Sequence, residues 1–161
     1  MQTPETYRFA SDGRFPNSPL PMLVYRGALA PDADAMEQRF RSNGWANGWR
    51  NGIFPFHHFH SIAHEVLGIA AGEARVAFGG PQGEVVMVRA GDVVVITAGF
   101  AHCNQGQSPG LLVVGAYPGG AEYDLKRGEP AEYEAACRAV AAVPLPQSDP
   151  VQGSGALLDL W

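Results

Sequence analysis

Cysteine and clustered positive charge are both scarce in this sequence, and each shortage excludes a class of protein. Two cysteines among 161 residues provide no disulfide framework. The 11 Lys and Arg residues are outnumbered by 16 Asp and Glu residues and form no cluster that could neutralise phosphates. We therefore expect no nucleic-acid partner.

Long apolar runs are also missing. The longest strongly apolar stretch, Val93–Ile96 with its flanks, is far short of the ~20 residues that a membrane helix needs. The first residues have neither the basic region nor the apolar core of a signal peptide. These features predict a soluble cytoplasmic protein with no membrane partner.

Glycine and proline are plentiful, at 20 and 13 residues, and they separate many short apolar segments. Strands are predicted at 65–71, 75–78, 85–89, 92–96 and 111–117. Residues 33–42 read as a helix capped by Asp32, and residues 130–142 read as a second helix. The pattern favours a mainly β sandwich or barrel with two peripheral helices.

The length suits one domain. We expect residues 1–44 to form an N-terminal extension with a helix and residues 45–117 to form the β core. Residues 118–161 would supply the C-terminal helix and a tail docked on the barrel.

All five histidines occur in two places. Four of them fall within eight residues and are followed directly by a glutamate: His57, His58, His60, His64 and Glu65. The fifth, His102, comes after a run of valines. Imidazole nitrogens and carboxylate oxygens are ligands of borderline divalent metals, so the sequence predicts a metal site.

An extended segment would place His58 and His60 on one face, because residues two apart lie ~6.6 Å apart on the same side of a strand. A turn over residues 61–63 would bring Glu65 back, and His102 would close the set from a later strand. Three histidines and one carboxylate leave open positions on a five- or six-coordinate ion, as a catalytic metal requires.

The surrounding residues resemble the two motifs of the cupin superfamily. The first motif is matched by Gly52, five residues, His58-Phe59-His60, four residues, Glu65, six residues and Gly72. The second is matched by Gly91, five residues and the segment 97–102. The resemblance implies a single small jelly-roll β-barrel that holds a metal at His58, His60, Glu65 and His102, and frequently a homodimer.

A narrower similarity is to a branch of small bacterial cupins of unassigned function. It depends on Trp49-Arg50-Asn51-Gly52, on the segment 64–68 and on the Leu-Leu-Asp-Leu-Trp ending. In the second motif Thr97 replaces the usual proline, and Gly106 stands where the superfamily usually has asparagine. These are turn and neighbouring positions, so no ligand is lost.

Other residues near the motifs have alternative interpretations. His64 could replace Glu65 as a ligand, orient Glu65, or act as the general base of catalysis. Phe54, Phe56 and Asn104 share strand parity with the ligands and are predicted to line the substrate pocket.

Three further side chains are predicted to have mainly structural roles. Arg50 could bind a substrate carboxylate, but a solvated position at a strand end is the simpler interpretation. Trp45 and Trp49 are predicted to cover an outer face of the sheet.

The leading hypothesis is a metal-dependent enzyme that acts on a small molecule, with dioxygenase-type oxidation first and isomerase or lyase chemistry next. The cofactor would be one divalent transition metal, either Fe, Mn, Ni, Zn or Cu. The rival hypothesis is a cupin that binds a small ligand or metal without catalysis, since one fold hosts many chemistries.

Overall fold

A computed structural model describes residues 2–161. Within these residues the strands are β1 (Glu5–Tyr7), β2 (Met22–Tyr25), β3 (Trp45–Asn51), β4 (Glu65–Ala71), β5 (Glu73–Phe78), β6 (Glu84–Arg89), β7 (Val93–Ile96), β8 (His102–Gln107) and β9 (Leu112–Pro118). The helices are α1 (Ala33–Ser42), α2 (Tyr133–Ala142), which follows a 3-10 turn at Pro130–Glu132, and α3 (Leu157–Leu160).

The strands form two antiparallel sheets. The larger sheet has the order β1-β2-β7-β4-β9-β3, and the smaller has the order β6-β5-β8. Within residues 2–161 the strand pairing therefore does not close into one barrel. The mainly β class is confirmed, whereas the closed jelly-roll barrel remains a proposal. β1 and β2 pair into the larger sheet, so residues 1–44 contribute two strands to it.

The alternation of β4 shows how the apolar residues are divided between two layers. Leu67 and Ile69 point between the sheets and belong to the inner core. Val66 and Ala70 point to the other side, into a second cluster beneath α1 and the C-terminal tail. The side chains of the candidate metal centre follow the same alternation at the ends of the strands.

Helix α1 spans the predicted residues, and its capping residue and apolar face are those that the sequence predicts. The Asp32 carboxylate accepts a hydrogen bond of 2.8 Å from the backbone N–H of Ala35 and so caps the first turn. Met36 and Phe40 are buried against β4. They sit directly over Gly68, where a Cβ atom would lie 2.9 Å from each side chain. The glycine therefore sets how closely the helix approaches the sheet.

The C-terminal tail packs on the outer face of the larger sheet. The buried Asp149 carboxylate accepts hydrogen bonds from Tyr25 and from the backbone N–H groups of Val151 and Leu157. The indole N–H of Trp161 donates to the Pro21 carbonyl at 2.9 Å. In the part of the chain described here, no helix has the length and apolar character needed to cross a bilayer.

Candidate metal centre

Three histidines converge between the two sheets. His58 and His60 lie in the connection between β3 and β4, and His102 is the first residue of β8. His58 and His102 are joined by two backbone hydrogen bonds of 3.1 and 2.9 Å. One ligand nitrogen from each of the three rings lies within 4.8 Å of the others, and all three residues are buried.

The segment before these histidines differs from the predicted strand. Residues 52–57 are irregular, and only an isolated bridge pairs His58 with His102. The local alternation nevertheless places His58 and His60 toward the same centre. Phe59, between them, is buried on the other side and pairs with Lys126 through hydrogen bonds of 2.9 Å.

Each imidazole is held by a backbone carbonyl at Nδ1. His58 Nδ1 lies 2.8 Å from the Phe56 oxygen, and His102 Nδ1 lies 3.2 Å from the Phe100 oxygen. His60 Nδ1 contacts the Asp124 carbonyl. A carbonyl oxygen only accepts hydrogen bonds, so the ring proton is on Nδ1 in each case. Each Nε2 is consequently the nitrogen that would bind a metal when the ring is neutral.

Glu65, the first residue of β4, reaches the same centre. Its Oε1 atom lies 3.3 Å from His60 Nε2 and 3.5 Å from His102 Nε2. This oxygen is buried and accepts no hydrogen bond from the described residues. A buried carboxylate oxygen without a donor is costly unless a cation lies against it. The convergence of these donor atoms and the orphaned oxygen both fit a bound metal ion.

Burial and the neighbouring charges shift the pKa values of three of these side chains. Burial alone would raise the pKa of Glu65, but the His60 and His102 rings outweigh it and lower that pKa. Burial and the neighbouring His102 ring lower the pKa of His58 to about 3. Burial also opposes protonation of His60, yet the adjacent Glu65 carboxylate raises its pKa overall. Glu65 is therefore ionised and His58 neutral.

A chain of hydrogen bonds supports the carboxylate from behind. The Tyr117 hydroxyl donates to Glu65 Oε2 at 2.7 Å and accepts from the Trp49 indole N–H at 2.8 Å. Burial, followed by the charge of Glu65, raises the pKa of Tyr117. Tyr117 stacks on Tyr123 with ring centroids 4.4 Å apart. The sequence analysis missed both tyrosines, although alternation from Val113 along β9 does point Tyr117 inward.

The centre opens into a cavity of about 500 Å³. Its wall includes the three histidines and Glu65, together with aromatic, aliphatic and amide side chains. Of the three residues predicted to line the substrate pocket, Phe54 lies in the wall of this cavity, and Phe56 and Asn104 lie outside it.

Two local contacts explain these differences. Phe56 lies behind Phe54, because the chain bends there instead of continuing as a strand, and the Arg127 guanidinium covers its ring at 3.8 Å. Asn104 shares the face of His102, but its side chain is bonded to the Gly106 N–H and to Gln107. Gln107 takes the place in the cavity wall.

His64 lies on the opposite side of the sheet from Glu65. Its Nδ1 accepts a hydrogen bond of 2.9 Å from the Ala98 N–H, and its ring packs 4.8 Å from that of Trp161. Burial lowers its pKa to about 4. The turn before β4 does not preserve parity with His60, so the structure does not bring His64 to the three histidines and Glu65.

A bulge in β3 explains the places of Trp49 and Arg50. The pairing with β9 shifts between Ala46 and Trp49, where Asn47 has a φ of 56°. Trp45 is therefore buried in the outer layer as predicted, but Trp49 turns inward and lines the cavity. Arg50 turns outward and forms ion pairs with Asp34 and Glu37 on α1. It is thus unavailable to a ligand in the cavity.

Comparison with known proteins identifies the family. The family model described as Cupin matches residues 46–118. The chain is 43% identical over 159 residues to the uncharacterized protein YjlB of Bacillus subtilis strain 168, a match that covers 98% of this chain and 96% of YjlB. The chain therefore belongs to the cupin family.

Solved structures with similar folds are more distant. Acireductone dioxygenase from Bacillus anthracis, with a cadmium ion in its active centre, is 17% identical with a TM-score of 0.41, covering 56% of this chain and 60% of that one. Bacillus subtilis oxalate decarboxylase, with Mn(II) centres, is 16% identical with a TM-score of 0.39, covering 67% and 28%. At this level of similarity neither structure carries an argument about the chemistry of this chain.

Proposed function

We propose that this cupin is a metal-dependent oxidoreductase that oxidises a small molecule in a dioxygenase-type reaction. The observation that carries the proposal is the donor set: three buried imidazoles that converge beside the orphaned Oε1 of Glu65. We assign His58, His60, Glu65 and His102 as the residues that would hold the ion.

The donor set fits a borderline divalent transition metal. Three imidazole nitrogens and one carboxylate suit Fe, Mn, Ni, Zn or Cu, and supply of the metal in the cell decides among them. When bound, the metal would supply adjacent positions for oxygen atoms of the substrate and for O₂. In such an oxidation both oxygen atoms enter the substrate, and the substrate bond that breaks supplies the electrons, so no other reductant is required.

The protein's own residues fix the centre and exclude water. The three carbonyl contacts hold the imidazole tautomers, and Tyr117 holds Glu65 through Oε2. The inner apolar layer closes the space beneath them, because Leu67 and its neighbours are buried. Ligands held in advance by such contacts lose little freedom when the ion and substrate bind.

The cavity favours oxidation over isomerase or lyase chemistry. Proton transfer needs an acid or base poised near neutral pH. His64, the sequence-based candidate, lies on the other face of the sheet, and the proton of Tyr117 is engaged by Glu65. Among the described wall residues the histidines and Glu65 are assigned to the metal and Tyr123 offers only a phenol, so no imidazole or carboxylate stands free as a base beside the centre.

The first experiment measures metal by plasma mass spectrometry on untagged protein. The variants are His58→Gln and His60→Gln, with His57→Gln as the matched control, because His57 packs at a tilted angle against Phe15 and does not line the cavity. We expect close to one transition metal per chain in the wild type and in the control, and loss of that metal in both test variants.

Oxygen uptake then separates an enzyme from a binding protein. A redox-active metal with substrate-dependent O₂ consumption supports the proposal. If the protein instead binds a ligand saturably without forming product, and Glu65→Gln binds that ligand equally well, it is a non-catalytic cupin. No metal after anaerobic reconstitution would overturn the proposal altogether. The homodimer implied by the family resemblance remains a prediction, to be checked by light scattering.

A further inference from the structure

The described wall of the cavity lacks the positively charged side chains that would bind a small acidic molecule. Among the described residues that line it, none is Lys or Arg, and Glu65 is the single formal charge. Arg50 faces α1, and Arg127 lies over the outer ring of Phe56. A ligand with a second carboxylate would bury that charge without a counter-ion, which is strongly unfavourable.

The wall instead offers aromatic rings on two sides of the histidines. On one side Tyr123 stacks on Tyr117 with an interplanar angle of 15°, and both rings stand edge-on to His60. On the other side Phe54 stacks on Phe56 and stands edge-on to His58.

One cavity-lining ring of each pair is unusually exposed. Phe54 is 51% exposed and Tyr123 is 46% exposed, although both line the cavity. Large aromatic side chains left uncovered at the wall of a pocket mark a surface for binding rather than for packing. A planar ring bound in the cavity has these exposed aromatic side chains to pack against.

One amide in the wall is oriented by its neighbour. Asn104 Nδ2 donates to Gln107 Oε1 at 2.7 Å, so that oxygen already accepts one hydrogen bond. Its Nε2 group remains as a donor for a neutral oxygen, such as a carbonyl or hydroxyl of the ligand. Asn104 would therefore act as a positioning residue for Gln107.

From these contacts we infer that the cavity takes an uncharged planar aromatic or conjugated molecule, which presents oxygen atoms to the metal and rests its ring against Phe54 and Tyr123. This inference rests on the proposed metal function. The cavity volume of about 500 Å³ falls within the range of pockets for ligands of this kind.

The test uses three probes that share one metal-binding group. Acetohydroxamic acid, benzohydroxamic acid and the monohydroxamate of succinic acid differ in a methyl, a phenyl and a carboxylate-bearing body. Affinities are measured by calorimetry on metal-loaded protein. We expect benzohydroxamic acid to bind about tenfold or more tightly than acetohydroxamic acid, because the ring buries apolar surface. The succinic probe should gain nothing over acetohydroxamic acid.

Variants locate the source of that preference. Phe54→Leu and Tyr123→Leu should each weaken benzohydroxamic acid by about two- to tenfold and leave acetohydroxamic acid unchanged. Tyr133→Leu is the matched control, because Tyr133 lies on α2, bonded to Ser11.

Metal content measured on the same samples separates the two proposals. If metal is bound but the phenyl and methyl probes bind equally, or the succinic probe binds best, this inference is overturned and the metal function stands. If no metal is bound, both fail together.

Discussion

The hydroxyl of Tyr117 offers the sharpest test of the site, because Tyr117→Phe removes one oxygen and keeps the stacked ring. The hydroxyl donates to the buried, ionised Glu65 at 2.7 Å. A hydrogen bond to a charged group contributes about 1.5–3 kcal/mol. The free energy of unfolding of the metal-free protein should fall by this amount. Affinity for the metal should fall about 10- to 100-fold, as when other partners of metal ligands are removed.

Urea denaturation monitored by circular dichroism gives the first quantity, and competition with a chelator of known affinity gives the second. Tyr7→Phe is the matched control, because Tyr7 also donates to a carboxylate, Glu5 at 2.8 Å, but at an exposed site. The control should lose less than about 1 kcal/mol. Equal losses in the two variants, with metal affinity unchanged, would refute the view that Tyr117 holds an ionised Glu65 in place.

Three further outcomes are expected. Burial lowers the pKa of His64 to about 4 from an ordinary value of 6.5, so below pH 6.5 the unfolded chain takes up a proton that the folded chain does not. Metal-free protein should therefore lose stability as the pH falls from 6.5 to 4, by about 3 kcal/mol attributable to this group, and denaturation of His64→Asn across that range should show a flatter profile. Gly68→Ala should lower the free energy of unfolding by about 1–3 kcal/mol, because its methyl group would press on Met36 and Phe40; unchanged thermal unfolding would contradict the close packing of α1. Saturating metal at ~100 times its dissociation constant should add about 2.7 kcal/mol to wild-type stability in calorimetry, but nothing to His60→Gln.

Local signals explain why part of the fold could be predicted. Helix α1 begins at a capping aspartate and ends at Asn43-Gly44, so its bounds follow from hydrogen bonding within a few residues. Strands β4 and β9 are long apolar runs, because each is covered on one face by the inner core and on the other by the outer cluster. The pairing into two sheets depends on contacts distant in sequence, and no local pattern contains them.

The same division applies to the site. The spacing of His58, His60 and Glu65 is local, and it brought these residues to one centre even though their segment is not a regular strand. His64 was misplaced because parity cannot be carried through a turn of unknown shape. Trp49 was misplaced because a single extra residue in a strand reverses every side chain that follows.

That bulge links the architecture of β3 to the chemistry of the centre. Without it, Trp49 would point outward under α1 and Arg50 would point inward, so a cation would replace an indole in the cavity wall. With it, Trp49 lies over Gly115, where a Cβ atom would come within 2.2 Å of the ring, and its N–H reaches the Tyr117 hydroxyl. Because Tyr117 in turn bonds Glu65, one local change of register both keeps the wall free of positive charge and completes the support of the carboxylate.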